Sequence, residues 1–288
     1  MAHSPTLRRR RLSRRLRELR AARGLTTEVV VQRARETATA KWSRHKLTRI
    51  ERDDWVLPSL DDVRTLLDIY GVTDEAERAT YLTLAAEARQ RGWWASYGDI
   101  LGRGAYVGLE AEAQMIRTYE VLVIPGLLQT EDYARAVIRG GGLTNSADVE
   151  RRVEARVMRQ TVLRRRPDAP RLWAIIDEAA LRKIPSQLLQ EQAQHLLDIQ
   201  EQASVRVQIL PDSVGPHAAT SGAFTILDLP DDDPSVVYRE NVASGIFLDD
   251  PADLEEYITV YDHIRGSSLG VDQSRAYLEA LIEGHDHA

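Results

Sequence analysis

At 288 residues, 43% of them hydrophobic and 28% charged, the chain has the composition of a folded soluble protein of about two domains. It has no cysteine, which excludes disulfides and thiolate chemistry, and no apolar run nears the ~20 residues that span a bilayer. The net charge of −6 hides a split: residues 1–52 hold 16 Lys and Arg against 4 Asp and Glu, whereas the rest is strongly acidic, as in a nucleic-acid-binding end joined to an acidic body.

The N-terminus carries charge without a following apolar stretch, so no signal peptide is expected and the location is read as cytoplasmic. Residues Leu7–Arg23 read as a helix led by a basic arm, Arg8 to Arg11, with Leu12, Leu16 and Leu19 at helical spacing and Gly24 as its stop. Thr26 caps a second helix whose apolar face is Val29, Val30 and Ala34. After Glu36 to Lys41 comes a third helix, capped by Ser43. At about 100° per residue, Leu47 and Ile50 share a narrow apolar stripe on it. His45, Thr48, Arg49 and Arg52 lie opposite, with Arg44 and Lys46 on the flanks. A short stripe on an otherwise cationic helix, with the positive dipole end at its N-terminus, suits an anionic surface such as a DNA groove. Pro58-Ser59 opens a fourth helix, with Leu60, Val63, Leu66, Leu67 and Tyr70 at apolar spacing and Gly71 at its end. Asp74 caps a fifth, carrying Ala79, Leu82, Leu84, Ala85 and Ala88.

Five short helices with a basic third one resemble the Cro/repressor-type helix-turn-helix domain of the xenobiotic-response-element (XRE) family. The matching residues are Leu16 to Arg20, Gly24-Leu25-Thr26, Ser43 to Glu51 and Pro58 to Tyr70. The resemblance implies base contacts by Arg44, His45 and Arg49, and phosphate contacts by Ser43, Lys46 and Thr48. Arg52 joins them on the same cationic surface, and Glu51 has a structural role. Arg can bond both major-groove acceptors of a guanine. The chain departs from the family in two ways. The step from Thr26 to Ser43 is long, so either the second helix is extended or the turn is a loop. Asp53 and Asp54 also stand where a glycine commonly follows the third helix, and two acids facing phosphate would weaken binding.

The helical pattern breaks at Arg91 to Gly98, and glycines recur at Gly102, Gly104 and Gly108. We place the boundary here, giving residues 1–90 as a mainly α DNA-binding domain and 91–288 as an α+β domain. Trp93 and Trp94 are expected to pack a seam between them. The glycines do not form a dinucleotide-binding fingerprint.

Beyond this, Ala111–Tyr119, Leu172–Asp177, Val205–Leu210, Phe224–Leu229 and Val236–Glu240 read as strands. Asp148–Arg165, Ser186–Ala203, Asp253–Ile264 and Ser274–Ile282 read as helices, and Gly140-Gly-Gly142 as a joint. Tyr106 to Ala113, Ile116 to Glu120 and Val123 to Ala134 resemble the C-terminal domain of a large group of actinobacterial helix-turn-helix regulators. Trp173 to Glu178, Val205 to Pro211, Gly222 to Asp228 and Val236 to Glu240 support it. Members often occur beside a small partner protein, in antitoxin-like pairs.

No nucleophile elbow, phosphate loop or metalloprotease motif occurs, and no enzyme or cofactor is expected. Asp231-Asp232-Asp233 and Asp249-Asp250 read as solvated turns rather than metal sites, and His285 and His287 as a terminal tail. His217 reads as a loop residue with no evident partner, and Glu110 and Glu112 as sharing one strand face. The expected function is a homodimeric, double-stranded-DNA-binding transcription regulator that does not touch membrane. The alternative is an antitoxin-like module that sequesters a small partner protein encoded nearby.

Overall fold

The computed structural model describes residues 4–37, 41–55, 57–101, 104–165, 167, 169–231, 233–241 and 245–286. Residues Ala38 to Ala40, Gly102, Asp232 and His287, named above, lie outside these. By contact the chain forms two compact units, Met1–Leu109 and Glu110–Ala288.

The first unit holds α1 (Pro5–Ala22), α2 (Thr27–Thr37), α3 (Arg44–Glu51), α4 (Leu60–Ile69) and α5 (Glu75–Glu87), followed by the short α6 (Gly98–Leu101) and α7 (Ala105–Glu110). Each of the first five starts where a side chain can take up an orphan amide. Ser4 accepts from Leu7 N, Thr26 from Val29 N, Ser43 from Lys46 N, Ser59 from Asp62 N and Asp74 from Glu77 N. Such a cap is worth about 1 kcal/mol. α4 ends into Gly71 at φ 68, a left-handed turn that glycine takes without strain. Leu12, Leu16, Val30, Leu47, Val63 and Leu66 form one core, so the five helices close around a shared apolar centre. α2 runs to Thr37, so part of the long step is helix, and the described residues 41–43 before α3 are not.

The expected basic arm is not ahead of the first helix. Arg8 to Arg11 lie inside α1, which Ser4 and Pro5 start earlier. Arg8 is 4% exposed and pairs with Glu87 of α5 at 2.9 Å, and Arg9 pairs with Asp53 at 2.6 Å. Trp94 is buried within this unit and explains the glycines near it. A Cβ at Gly92 or Gly104 would collide with its ring, and one at Gly108 with Thr6.

The second unit is α+β. Its sheet has β1 (Met115–Glu120), β2 (Arg171–Asp177), β3 (Val205–Leu210), β4 (Phe224–Asp228), β5 (Val236–Glu240) and β6 (Gly245–Leu248), in the order β3-β2-β1-β4-β5-β6. β1, β2 and β3 run parallel, and β4, β5 and β6 continue antiparallel. The parallel strands are joined through α8 (Glu131–Gly140) with α9 (Ser146–Gln160), and through α10 (Glu178–Arg182) with α11 (Ser186–Ile199). Crossovers of one hand place these helices on one face. α12 (Pro251–Ser267) covers the other, where Tyr257, Tyr261 and Ile264 pack on Tyr119, Ile175, Phe224 and Ile226. α13 (Val271–Asp286) closes the chain. The edge of β3 is capped there, since Leu269 N donates to Ile209 O at 2.9 Å and Ile209 N to Ser274 Oγ at 3.0 Å.

Several expectations need correction. Ala111 and Glu112 form a turn rather than the start of β1, and Glu110 ends α7, so Glu110 and Glu112 share no strand face. The helix expected over Asp148–Arg165 gives way at Thr161 to a single tighter turn, and that over Ser186–Ala203 stops at Ile199. Gly140 is the last residue of α8, with Gly141 as its cap. β6, α8 and α10 were not expected. Asp250 is the N-cap of α12, accepting from Ala252 N. His217 does have partners: its Nε2 lies 3.3 Å from Tyr119 Oη, and its Nδ1 accepts from Ala219 N at 3.2 Å.

Candidate nucleic-acid interface

α3 is one short helix held on its inner side and open on its outer side. Leu47 and Ile50 are buried against α1 and α2, as their spacing requires. Glu51, one residue on, is buried too. Its two carboxylate oxygens accept from Arg20 Nε at 2.6 Å and Nη2 at 2.9 Å, and Arg20 also donates to Leu25 O. This one guanidinium fixes α1, the turn into α2 and the end of α3 together. The bond to Glu51 raises the Arg20 pKa, and burial next to that carboxylate raises Tyr70.

On the outer side, Ser43, Arg44, His45 and Arg52 are exposed, and Lys46, Thr48 and Arg49 are half-buried. Arg44 pairs with Glu28 of α2 at 2.7 Å, both side chains well exposed. A pair of this kind contributes about 0–1 kcal/mol and yields easily to a phosphate or base. Lys46 is engaged more firmly: Nζ lies 2.6 Å from Asp62 Oδ1 and 4.5 Å from the centre of the Trp42 ring. Arg49 folds back on the following turn and donates from Nε and Nη2 to Asp54 O at 3.0 and 2.9 Å.

The two acids after α3 are accounted for in the same way. Asp53 adopts φ 59, the left-handed conformation that glycine supplies at many helix ends. Its carboxylate is turned to Arg9, and burial raises its pKa against the pull of that arginine. The Asp54 carboxylate is 3.6 Å from Arg49. Each acid thus faces an arginine of the protein.

Sequence reasoning missed Glu28, Trp42 and Asp62 as groups that set the charge available on α3. No local signal marks them. Lys46 and Asp62 are brought together only by the packing of α3 beside α4. Elsewhere, among the described residues, no three His, Asp or Glu gather as metal ligands, and no helix is long and apolar enough to cross a membrane.

The family described as a domain of unknown function, DUF5753, matches residues 104–280. A family described as a helix-turn-helix domain matches residues 11–80, the span from α1 into α5. Comparison with curated proteins and with solved structures gave no match.

Proposed function

This chain belongs to the DUF5753 family, and we propose that it is a sequence-specific transcription regulator whose α3 enters the DNA major groove. The observation that carries the reading is the two-sided character of α3. Leu47, Ile50 and Glu51 anchor it inside a helix-turn-helix unit, while Arg44, His45 and Arg52 stand exposed around its cationic outer face. Arg44 and Arg49 are the base-reading residues. Ser43, Thr48 and Arg52 meet backbone, and Lys46 joins them once it leaves Asp62.

One small helix-turn-helix unit reads few base pairs, so two copies act on a two-fold site with their α3 helices about 34 Å apart. The second unit supplies the pairing contact or receives an effector or small partner protein. Selection of the full chain against random duplex DNA tests this. The expected product is an enriched motif with two guanine-containing half-sites, and recovery of unenriched sequence contradicts the reading.

A further inference from the structure

Three neighbouring strands of the second unit end unevenly. Thr118, Thr225 and Tyr238 lie side by side across β1, β4 and β5. β1 and β5 both run antiparallel to β4, so they point the same way. Two residues further on, β1 ends at Glu120 and β5 at Glu240, on the same face as that row. β4 runs the other way and begins only at Phe224, so the position between the two carboxylates falls to Ala223, outside the strand. Two strand spacings place the Glu120 and Glu240 backbones about 10 Å apart.

α9 brings two arginines to this end of the sheet, three residues apart and therefore on one side of the helix. Arg159 is committed: it donates to both oxygens of Glu110, at 2.9 and 2.8 Å, and Glu110 is 2% exposed. Arg156 is not, since it gives one N–H to Gln129 Oε1 at 2.7 Å. Glu120 is partly buried and its carboxylate has no hydrogen bond or ion pair among the described residues, although Glu240 and both arginines are within electrostatic reach. Burial first, then Glu240, pushes its pKa up to about 7. Burial first, then Arg159, pushes Arg156 down to about 10. Both charges are therefore poorly solvated and poorly matched by the protein itself.

The group lies at the carboxyl end of β1, whose neighbour β4 is antiparallel. β2 and β3 lie to one side and β4 to the other. A cation would relieve Glu120 and Glu240, and an anion would relieve Arg156. We propose that this group of side chains binds a small zwitterion of the amino-acid class, with its ammonium between Glu120 and Glu240 and its carboxylate on Arg156. The site names an effector for the regulator proposed above and rests on that reading for its role; the binding itself is a property of the second unit.

Isothermal titration of the full chain with the common amino acids, each added singly to about 10 mM, tests this by detecting binding in the millimolar range. At least one amino acid is expected to bind, while ethylamine and acetate, its two halves, are not. Glu120→Gln and Arg156→Gln should each weaken it at least tenfold, with circular dichroism melts showing both variants folded. Glu120→Gln keeps the shape of the side chain, so it decides the matter if Arg156→Gln fails to fold. The groups facing Glu120 are Glu240 of β5, Arg156 and Arg159 of α9, and Tyr133 of α8. With Glu120 titrating near 7 among them, binding should tighten about tenfold from pH 6 to pH 8. Absence of heat with every amino acid, or equal binding by wild type and Glu120→Gln, overturns the proposal. Neither result bears on DNA selection, which needs no ligand.

Discussion

Arg20 and Glu51 form a two-pronged bridge, at 2.6 and 2.9 Å, between the first helix of the N-terminal unit and the end of its third. Glu51 is 7% exposed and the Arg20 side chain 20%. The bridge sets the seat of α3 from the inside, before any DNA is present. Glu51→Ala should cost about 2–3 kcal/mol, because it leaves a partly buried guanidinium without its partner. Urea unfolding of the full chain measures this; an unchanged midpoint would show the bridge to be idle.

Lys46 is held by Asp62, which gives a prediction of unusual sign. Asp62→Asn releases the ammonium, so DNA binding should strengthen. The slope of log affinity against log salt should steepen by about 0.9 for the one added phosphate contact. If affinity and slope both stay put, Lys46 does not reach phosphate and leaves the proposed contact set.

The first compact unit ends at Leu109, and Ser4 Oγ donates to Gly108 O at 2.7 Å. We therefore expect residues 1–109 to fold alone, to bind DNA in a salt-sensitive way, and to melt higher than residues 1–90. Thermal melts of the two fragments decide between these boundaries. A lower melt for 1–109 would return the segment after Trp93 to the second domain.

Tyr119, 0% exposed, donates its hydroxyl to Asp177 Oδ2 at 3.0 Å and lies 3.3 Å from His217 Nε2. Burial, then this bond, raises its pKa. The contact ties the ends of β1 and β2 to the loop after β3. Tyr119→Phe should cost about 1–3 kcal/mol, the range for a hydrogen bond to a charged group and for the unsatisfied acceptor left behind. A denaturation midpoint equal to wild type would remove that tie.

Glu120 links stability to pH. Its pKa in the fold, about 7, lies above its ordinary value, so folding favours the protonated carboxyl. Its contribution is full below the unfolded pKa and is lost as pH rises toward and through 7. Glu120→Gln should therefore stabilise the chain at pH 8 by about 2–3 kcal/mol and make little difference at pH 4.5. Paired urea titrations at the two pH values test the sign.

Local signals were legible in the sequence, and contacts between distant segments were not. Ser43, Ser59 and Asp74 announce their helices because a cap acts over three residues. Val205–Leu210 and Val236–Glu240 were marked by runs of β-branched residues. β6 is four residues long and gives no period to read. The Glu and Ala alternation before Met115 resembled a strand, yet the chain turns there after α7. Arg8 read as a free basic residue because nothing local shows Glu87, which the packing of α5 on α1 delivers to it. The contact of His217 with Tyr119 and the placing of Glu120 beside Glu240 likewise join segments far apart in the sequence.

In the proposed complex, α3 reads DNA through Arg44 and Arg49. The most direct measurement is a gel-shift titration of Arg44→Ala and Arg49→Ala on the selected duplex, alongside a scrambled one. Each change should cost about 1–3 kcal/mol on the selected site and far less on the scrambled one. Wild-type affinity for the selected duplex in both variants would contradict the account.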